Sequence, residues 1–180
     1  VMILEVMGRY TGWIALEAGL AGGADIILIP EKPFDIEEIC EFIKRRLERG
    51  RNFSIIVVAE GAKPKGGAEI VYGNSVDEFG HIRLGGVGYH LGKEIEKCMH
   101  IETRVVILGH LQRGGSPTPF DRILATRFGI AAIDLVHEKN FGHMVAIKGN
   151  KIVSVPLKDV VGKRKTVDLE LYNIASVFFG

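Results

Sequence analysis

The 180-residue chain is 47% hydrophobic and 25% charged, enough apolar matter to bury the core of one domain, or of one domain and part of a second. Twenty-three basic residues against 22 acidic ones leave a net charge of +1, so no global field favours nucleic acid or an anionic membrane and any anion must be recognised locally. No apolar run reaches the roughly 18 residues of a membrane span and no cleavable leader opens the chain, which predicts a soluble, cytoplasmic protein. Val1 falls directly into a strand, which suggests a piece of something longer.

Short apolar β-branched runs alternate with amphipathic helices along the chain, a pattern that predicts an α/β fold of Rossmann-like type, a mainly parallel sheet flanked by helices. Val1 to Met7 reads as the first strand, and Gly12 to Ala21 as a helix stopped by Gly22 and Gly23. A second strand runs from Ile26 to Ile29. Asp35 caps a helix with Glu38 three residues on, and Ile36, Ile39, Cys40, Ile43 and Leu47 mark its buried face before Gly50. Lys44, Arg45, Arg46, Arg49 and Arg51 then fall on its solvated side, interleaved with Glu41 and Glu48, which argues against a nucleic-acid surface. Ser54 to Ala59 is a fully apolar strand ending at Glu60, followed by a loop from Gly61 to Gly67. Val87, Leu91, Ile95 and Cys98 recur at helical spacing ahead of another strand, Arg104 to Leu108. Gly109 to Pro119 precedes a long apolar helix to about Val136. Met144 to Lys148 and Lys151 to Val155 form a hairpin about Gly149 and Asn150, and a short helix starts at Asp168 after the basic run Lys163 to Lys165. Cys40 and Cys98 sit on apolar helical stripes without paired spacing, which predicts neither a disulfide framework nor a zinc site.

In open α/β sheets, ligands gather beyond the carboxyl ends of the strands. Three segments there are rich in polar residues: Met7-Gly8-Arg9, Glu60-Gly61, and Gly109 through Gly115. They contribute two arginines, a histidine, a carboxylate and several glycines. Arginine offers a planar fork matched to phosphate, histidine can donate to a phosphate oxygen, and glycines let backbone amides approach an anion. A carboxylate beside them would accept from sugar hydroxyls. The combination predicts a site for a phosphorylated polyol.

The run Arg104-Val-Val-Ile-Leu-Gly-His110-Leu-Gln-Arg113-Gly-Gly-Ser-Pro-Thr-Pro-Phe-Asp121-Arg122 resembles the signature of the 6-phosphofructokinase family. Glu5-Val-Met7-Gly8-Arg9 and Val57-Val-Ala-Glu60-Gly-Ala resemble two further substrate segments of that family, and the resemblance covers essentially the whole chain. Gly12-Trp13-Ile14-Ala15 and Glu60-Gly61-Ala62 are similar to the subgroup with both ATP- and pyrophosphate-dependent members. The resemblance implies phosphoryl transfer from ATP or pyrophosphate to the 1-hydroxyl of fructose 6-phosphate. In its terms Arg113 and His110 hold the 6-phosphate, Glu60 bonds sugar hydroxyls, Met7 and Gly8 shape the pocket, and Arg9 steadies the transferred group. Arg104 would reach the 6-phosphate of a neighbouring subunit in a homodimer or homotetramer.

The same resemblance implies a magnesium cofactor whose ligand, with the glycine-rich donor loop and the catalytic Thr-Ile-Asp-x-Asp segment, lies upstream of the residues present. No metal ligand is therefore expected in this chain, and the chain alone is expected to be inactive. Residues 1–111 would form the sugar-phosphate domain, 112–166 would pack on the donor domain, and 167–180 would return to the first. Asp25, Arg49 and Arg51 resemble part of an effector-nucleotide site of allosteric relatives. The alternative is a non-catalytic sugar-phosphate-binding protein, should the chain be a full gene product.

Overall fold

A computed structural model describes residues 1–67, 71–76, 82–84 and 86–179, the segments 71–76 and 82–84 as backbone. The chain divides into two compact units, Val1–Arg113 with Thr166–Gly180, and Gly114–Lys165.

The first unit is built on a four-stranded sheet of β1 (Met2–Val6), β2 (Ile26–Leu28), β3 (Ile55–Ala59) and β6 (Arg104–Ile107), in the order β2-β3-β1-β6. Every pairing is parallel, with Met2 opposite both Ile55 and Arg104 and Ile26 opposite Ile56. Successive side chains of each strand point to opposite faces, so a continuous apolar run feeds two cores at once. Ile3, Ile26, Leu28, Ile56 and Val58 go to one face, where α2 (Ile36–Glu48) and α3 (Val87–Met99) cover them with Ile39, Ile43, Val87, Leu91 and Ile95. Val6, Ile27, Val57 and Ala59 go to the other, under α1 (Trp13–Gly22) and α5 (Leu169–Ser176). The expected α/β architecture is what forms.

Local chemistry explains the helix ends. Asp35 accepts the Glu37 N–H at 2.9 Å, with Glu37 and Glu38 in the first turn of α2 and Arg45 and Arg46 in its last, the arrangement that a helix dipole favours. The buried face of α2 stops one turn earlier than its pattern suggests, since Leu47 is exposed. At α5, Asp168 accepts the Glu170 N–H at 2.8 Å. Tyr172 reaches under the sheet to donate its hydroxyl to Ile27 O at 3.1 Å, and burial pushes that phenol up to about 12.

Two features depart from the expectations. Between β3 and α3 lies an antiparallel pair, β4 (Val71–Val76) and β5 (Ile82–Leu84), which the sequence pattern does not announce. The cysteines, expected to be unpaired, form a disulfide, Cys40 to Cys98. The physical reason is tertiary: α2 and α3 lie on the same face of the sheet, and that juxtaposition joins residues 58 apart in sequence.

The second unit consists of α4 (Pro119–His137) and a hairpin, β7 (His143–Lys148) with β8 (Lys151–Pro156), turning at Gly149 with φ 59°. Thr118 and Asp121 cap α4 reciprocally, the Thr118 hydroxyl accepting the Asp121 N–H and the Asp121 carboxylate accepting the Thr118 N–H at 2.9 Å. Arg127 donates to Asn150 O at 2.7 Å and ties helix to turn.

Candidate active site

Because β1 lies between β3 and β6, the segments that leave these three strands emerge side by side at the carboxyl edge of the sheet. Met7, Gly8 and Arg9 follow β1, Glu60 follows β3, and a 3-10 turn, Gly109–Arg113, follows β6. Six of the expected site residues thus converge: Met7, Gly8, Arg9, Glu60, His110 and Arg113. His110 and Arg113 are exposed, while Arg9 and Glu60 are half-buried.

The β1 segment is held from both sides. On the β3 side, Glu60 N–H donates to Val6 O at 2.9 Å, and Gly61 N–H donates to Gly8 O at 3.1 Å. Glu60 Oε1 lies 3.4 Å from the Gly8 nitrogen and accepts its N–H. This crossing admits no side chains. A Cβ at Gly61 would stand 1.9 Å from Arg9 O, and Gly8 adopts φ 150° with its would-be Cβ 2.8 Å from Thr11 O. On the β6 side, Met7 N–H donates to Gln112 Oε1 at 3.2 Å, Gln112 Nε2 donates to Gly109 O at 3.1 Å, and Arg113 Nε approaches Met7 Sδ at 3.3 Å.

The remaining candidates lie elsewhere. Arg104 opens β6 opposite Met2, at the amino end of the sheet, and forms an ion pair with Glu102. The sheet therefore separates Arg104 from His110 and Arg113. Asp25 precedes β2 at that same amino end. Its carboxylate is taken by Arg46 at 2.6 Å and by the Ile55 N–H at 2.8 Å, so it braces α2 against the sheet. Arg49 and Arg51 are exposed beyond the end of α2.

Sequence reasoning missed three polar residues that build this region. Gln112 is one. Glu5 is another: it is 2% exposed on β1 and accepts from Gly86 N–H at 3.1 Å and Gly88 N–H at 2.8 Å, at the start of α3. Burial pushes its carboxyl above the usual range, the two N–H donors oppose that shift, and the nearby Glu60 charge adds to it. The third, Glu31, accepts from Gly12 N–H at the start of α1 and from Val167 N–H at 2.9 Å, clasping the C-terminal segment to α1 within the first unit. A carboxylate with apolar flanks was the available signal at Glu5, between Leu4 and Val6; Glu31, between Pro30 and Lys32, offered none, and Gln112 none beyond its place in the motif.

Among the described residues no group of three or more His, Cys, Asp or Glu side chains could hold a metal ion. What the fold and the edge cluster define is an open parallel α/β protein with cationic, amide and carboxylate groups gathered beyond adjacent strands. The family model described as Phosphofructokinase matches residues 1–136, and the chain belongs to that family.

A pyrophosphate--fructose 6-phosphate 1-phosphotransferase of Amycolatopsis methanolica is 54% identical over 179 residues, 99% of this chain and 52% of the relative. An ATP-dependent 6-phosphofructokinase of Mycobacterium leprae is 53% identical over 180 residues, 100% of this chain and again 52% of the relative. The chain thus spans about half the length of these curated relatives. Among solved structures, a Pichia pastoris phosphofructokinase in the T-state superposes with a TM-score of 0.69 at 35% identity, over 98% of this chain and 18% of that one. A pyrophosphate-dependent phosphofructokinase from Marinobacter aquaeolei gives 0.76 at 25% identity, over 94% of this chain and 42% of that one.

Proposed function

We propose that this chain supplies the sugar-phosphate half of a 6-phosphofructokinase, which transfers a phosphoryl group from ATP or pyrophosphate to the 1-hydroxyl of fructose 6-phosphate. The observation that carries the reading is the convergence of Met7, Gly8, Arg9, Glu60, His110 and Arg113 at one edge of the sheet, on three adjacent strands. Arg113 and His110 hold the 6-phosphate. The contact of Arg113 Nε with Met7 Sδ orients the guanidinium and leaves its terminal N–H groups to donate to phosphate oxygens. Glu60 accepts Gly8 N–H through Oε1, and its carboxylate also accepts from a sugar hydroxyl. Arg9 places positive charge where negative charge spreads during transfer, the main service a protein renders in this chemistry. Magnesium is part of the reading as a partner of the donor phosphates, with its ligands outside the residues of this chain.

In the same reading Val1 to about Leu111 forms the sugar-phosphate domain, 112–166 packs on the donor domain, and 167–180 returns to the first. Arg104 acts on a neighbouring subunit of a cytoplasmic homodimer or homotetramer. Relatives named for either donor are about equally similar, at 54% and 53% identity, so overall likeness does not select between ATP and pyrophosphate.

The test supplies fructose 6-phosphate, magnesium and each donor in turn to the full-length protein and to the 180-residue chain. Fructose 1,6-bisphosphate should form with at least one donor in the first case and in neither in the second. A full-length protein that binds fructose 6-phosphate without turnover would leave a sugar-phosphate-binding protein instead.

A further inference from the structure

We infer that Gln112 is a positioning residue which fixes the Met7–Arg9 segment against the His110–Arg113 turn; the inference rests on the function proposed above. The parallel ladder between β1 and β6 ends where Leu108 N–H donates to Glu5 O at 3.1 Å. Beyond that bond the two backbones part, and the Gln112 side chain bridges them. Its amide both accepts and donates: Oε1 takes Met7 N–H at 3.2 Å, and Nε2 gives to Gly109 O at 3.1 Å. The orientation of the amide follows from its partners, since a backbone N–H only donates and a carbonyl only accepts.

The bridge sets a distance between two arginines. Arg113 is the next residue after Gln112 and touches Met7 Sδ, and Arg9 is two residues beyond Met7. Met7 is therefore gripped through its N–H and its sulfur by two consecutive residues of the 3-10 turn, while Glu60 grips Gly8 from the other side. Releasing the Gln112 bond leaves His110 and Arg113 on the 6-phosphate but frees the strand end that carries Arg9. Substrate binding then survives while alignment with the transferred group is lost, and misplacement on the scale of 1 Å costs up to about 100-fold in rate. The effect should fall on kcat.

The test uses the full-length enzyme carrying Gln112→Leu, which removes both bonds, and Gln112→Glu, which keeps an acceptor for Met7 N–H. Arg9→Ala serves as control. Gln112→Leu should lower kcat by about 10-fold or more with KM for fructose 6-phosphate within about 3-fold of the parent. Gln112→Glu should recover part of the lost kcat, and the substrate-induced rise in melting temperature should persist in both, showing that the folded site still binds. A Gln112→Leu enzyme with kcat within about 2-fold of the parent, a loss confined to KM, or no recovery in Gln112→Glu would each overturn the assignment. An unsubstituted protein inactive with both donors removes the proposed function itself, and the inference with it. If the parent is active but Arg9→Ala keeps its kcat, the function stands and the route through Arg9 is overturned.

Discussion

At the scale of single residues, the site separates groups that hold the substrate from groups that hold the site. Arg113 is of the first kind. Its exposed fork makes charge-assisted bonds that are felt in ground and transition states alike, so Arg113→Ala in the full-length enzyme should raise KM by about 10- to 150-fold with kcat nearly unchanged, the equivalent of about 1.5–3 kcal/mol. Steady-state kinetics against fructose 6-phosphate reads this directly, and a loss confined to kcat would move Arg113 away from the 6-phosphate. Glu5 is of the second kind, a buried carboxylate spent on two backbone N–H groups of α3. Desolvation raises its pKa in the folded protein above the unfolded value, so between those two values the folded state binds the extra proton. Its contribution to stability is therefore most favourable below the ordinary glutamate range and declines as pH rises through the folded pKa. Comparing the parent with Glu5→Gln by urea unfolding cancels the other acids. The stability difference should move in favour of the parent between pH 7 and pH 4, and a difference that moves the opposite way would show that the two N–H bonds outweigh burial.

At the scale of elements, α2 and α3 are joined both by packing over Ile39, Ile43, Leu91 and Ile95 and by the Cys40–Cys98 disulfide. Closing a loop between residues 58 apart restricts the unfolded chain, worth about 4 kcal/mol in the chain-entropy account. Thiol titration of the denatured protein without reductant should find neither Cys40 nor Cys98 free, and reduction should lower the urea midpoint. Two titratable thiols before reduction would remove the clasp. This disulfide also marks how far a sequence can be read. The sheet strands were legible because runs such as Ile55-Ile-Val-Val-Ala59 are apolar on both faces, and the helices because Val87, Leu91 and Ile95 repeat at helical spacing. Strand β4, Val-Tyr-Gly-Asn-Ser-Val, carries no such alternation and was not legible. The convergence of the candidate residues was legible because a conspicuous motif contains two of them and the ends of adjacent strands carry the rest. Gln112, Glu31 and the paired cysteines act through partners dozens of residues away, which no local period encodes.

At the scale of the whole molecule, the apolar surface of α4 and the location of Arg104 both bear on the proposal that further polypeptide completes the site. Phe120, Ile123, Ile130 and Ile133 of α4 are exposed, Phe120 to 66%, a face that the proposed reading covers with the donor domain. Arg104 and His110 bracket one strand, and the extended chain from Arg104 to Leu108, at about 3.3 Å per residue, carries the backbone roughly 13 Å before it turns into Gly109–Arg113. The structure puts them at opposite ends of the sheet, Arg104 beside Met2 and His110 beyond Leu108. Two side chains so placed cannot grip one phosphate. If both serve the 6-phosphate, they serve two different ones, and a closed oligomer with a two-fold interface repeats the contact so that each site receives His110 from one subunit and Arg104 from the next. Full-length proteins carrying Arg104→Ala or His110→Ala should each be severely impaired alone. Mixed oligomers of the two should recover activity, because some interfaces pair an intact His110 with an intact Arg104 of the adjoining subunit. When the two are refolded together and mixing is verified by mass, activity that stays at the level of the separate variants would place Arg104 outside the site. Recovery approaching the fraction of sites that statistical mixing leaves intact would establish a site completed by a second copy of the chain.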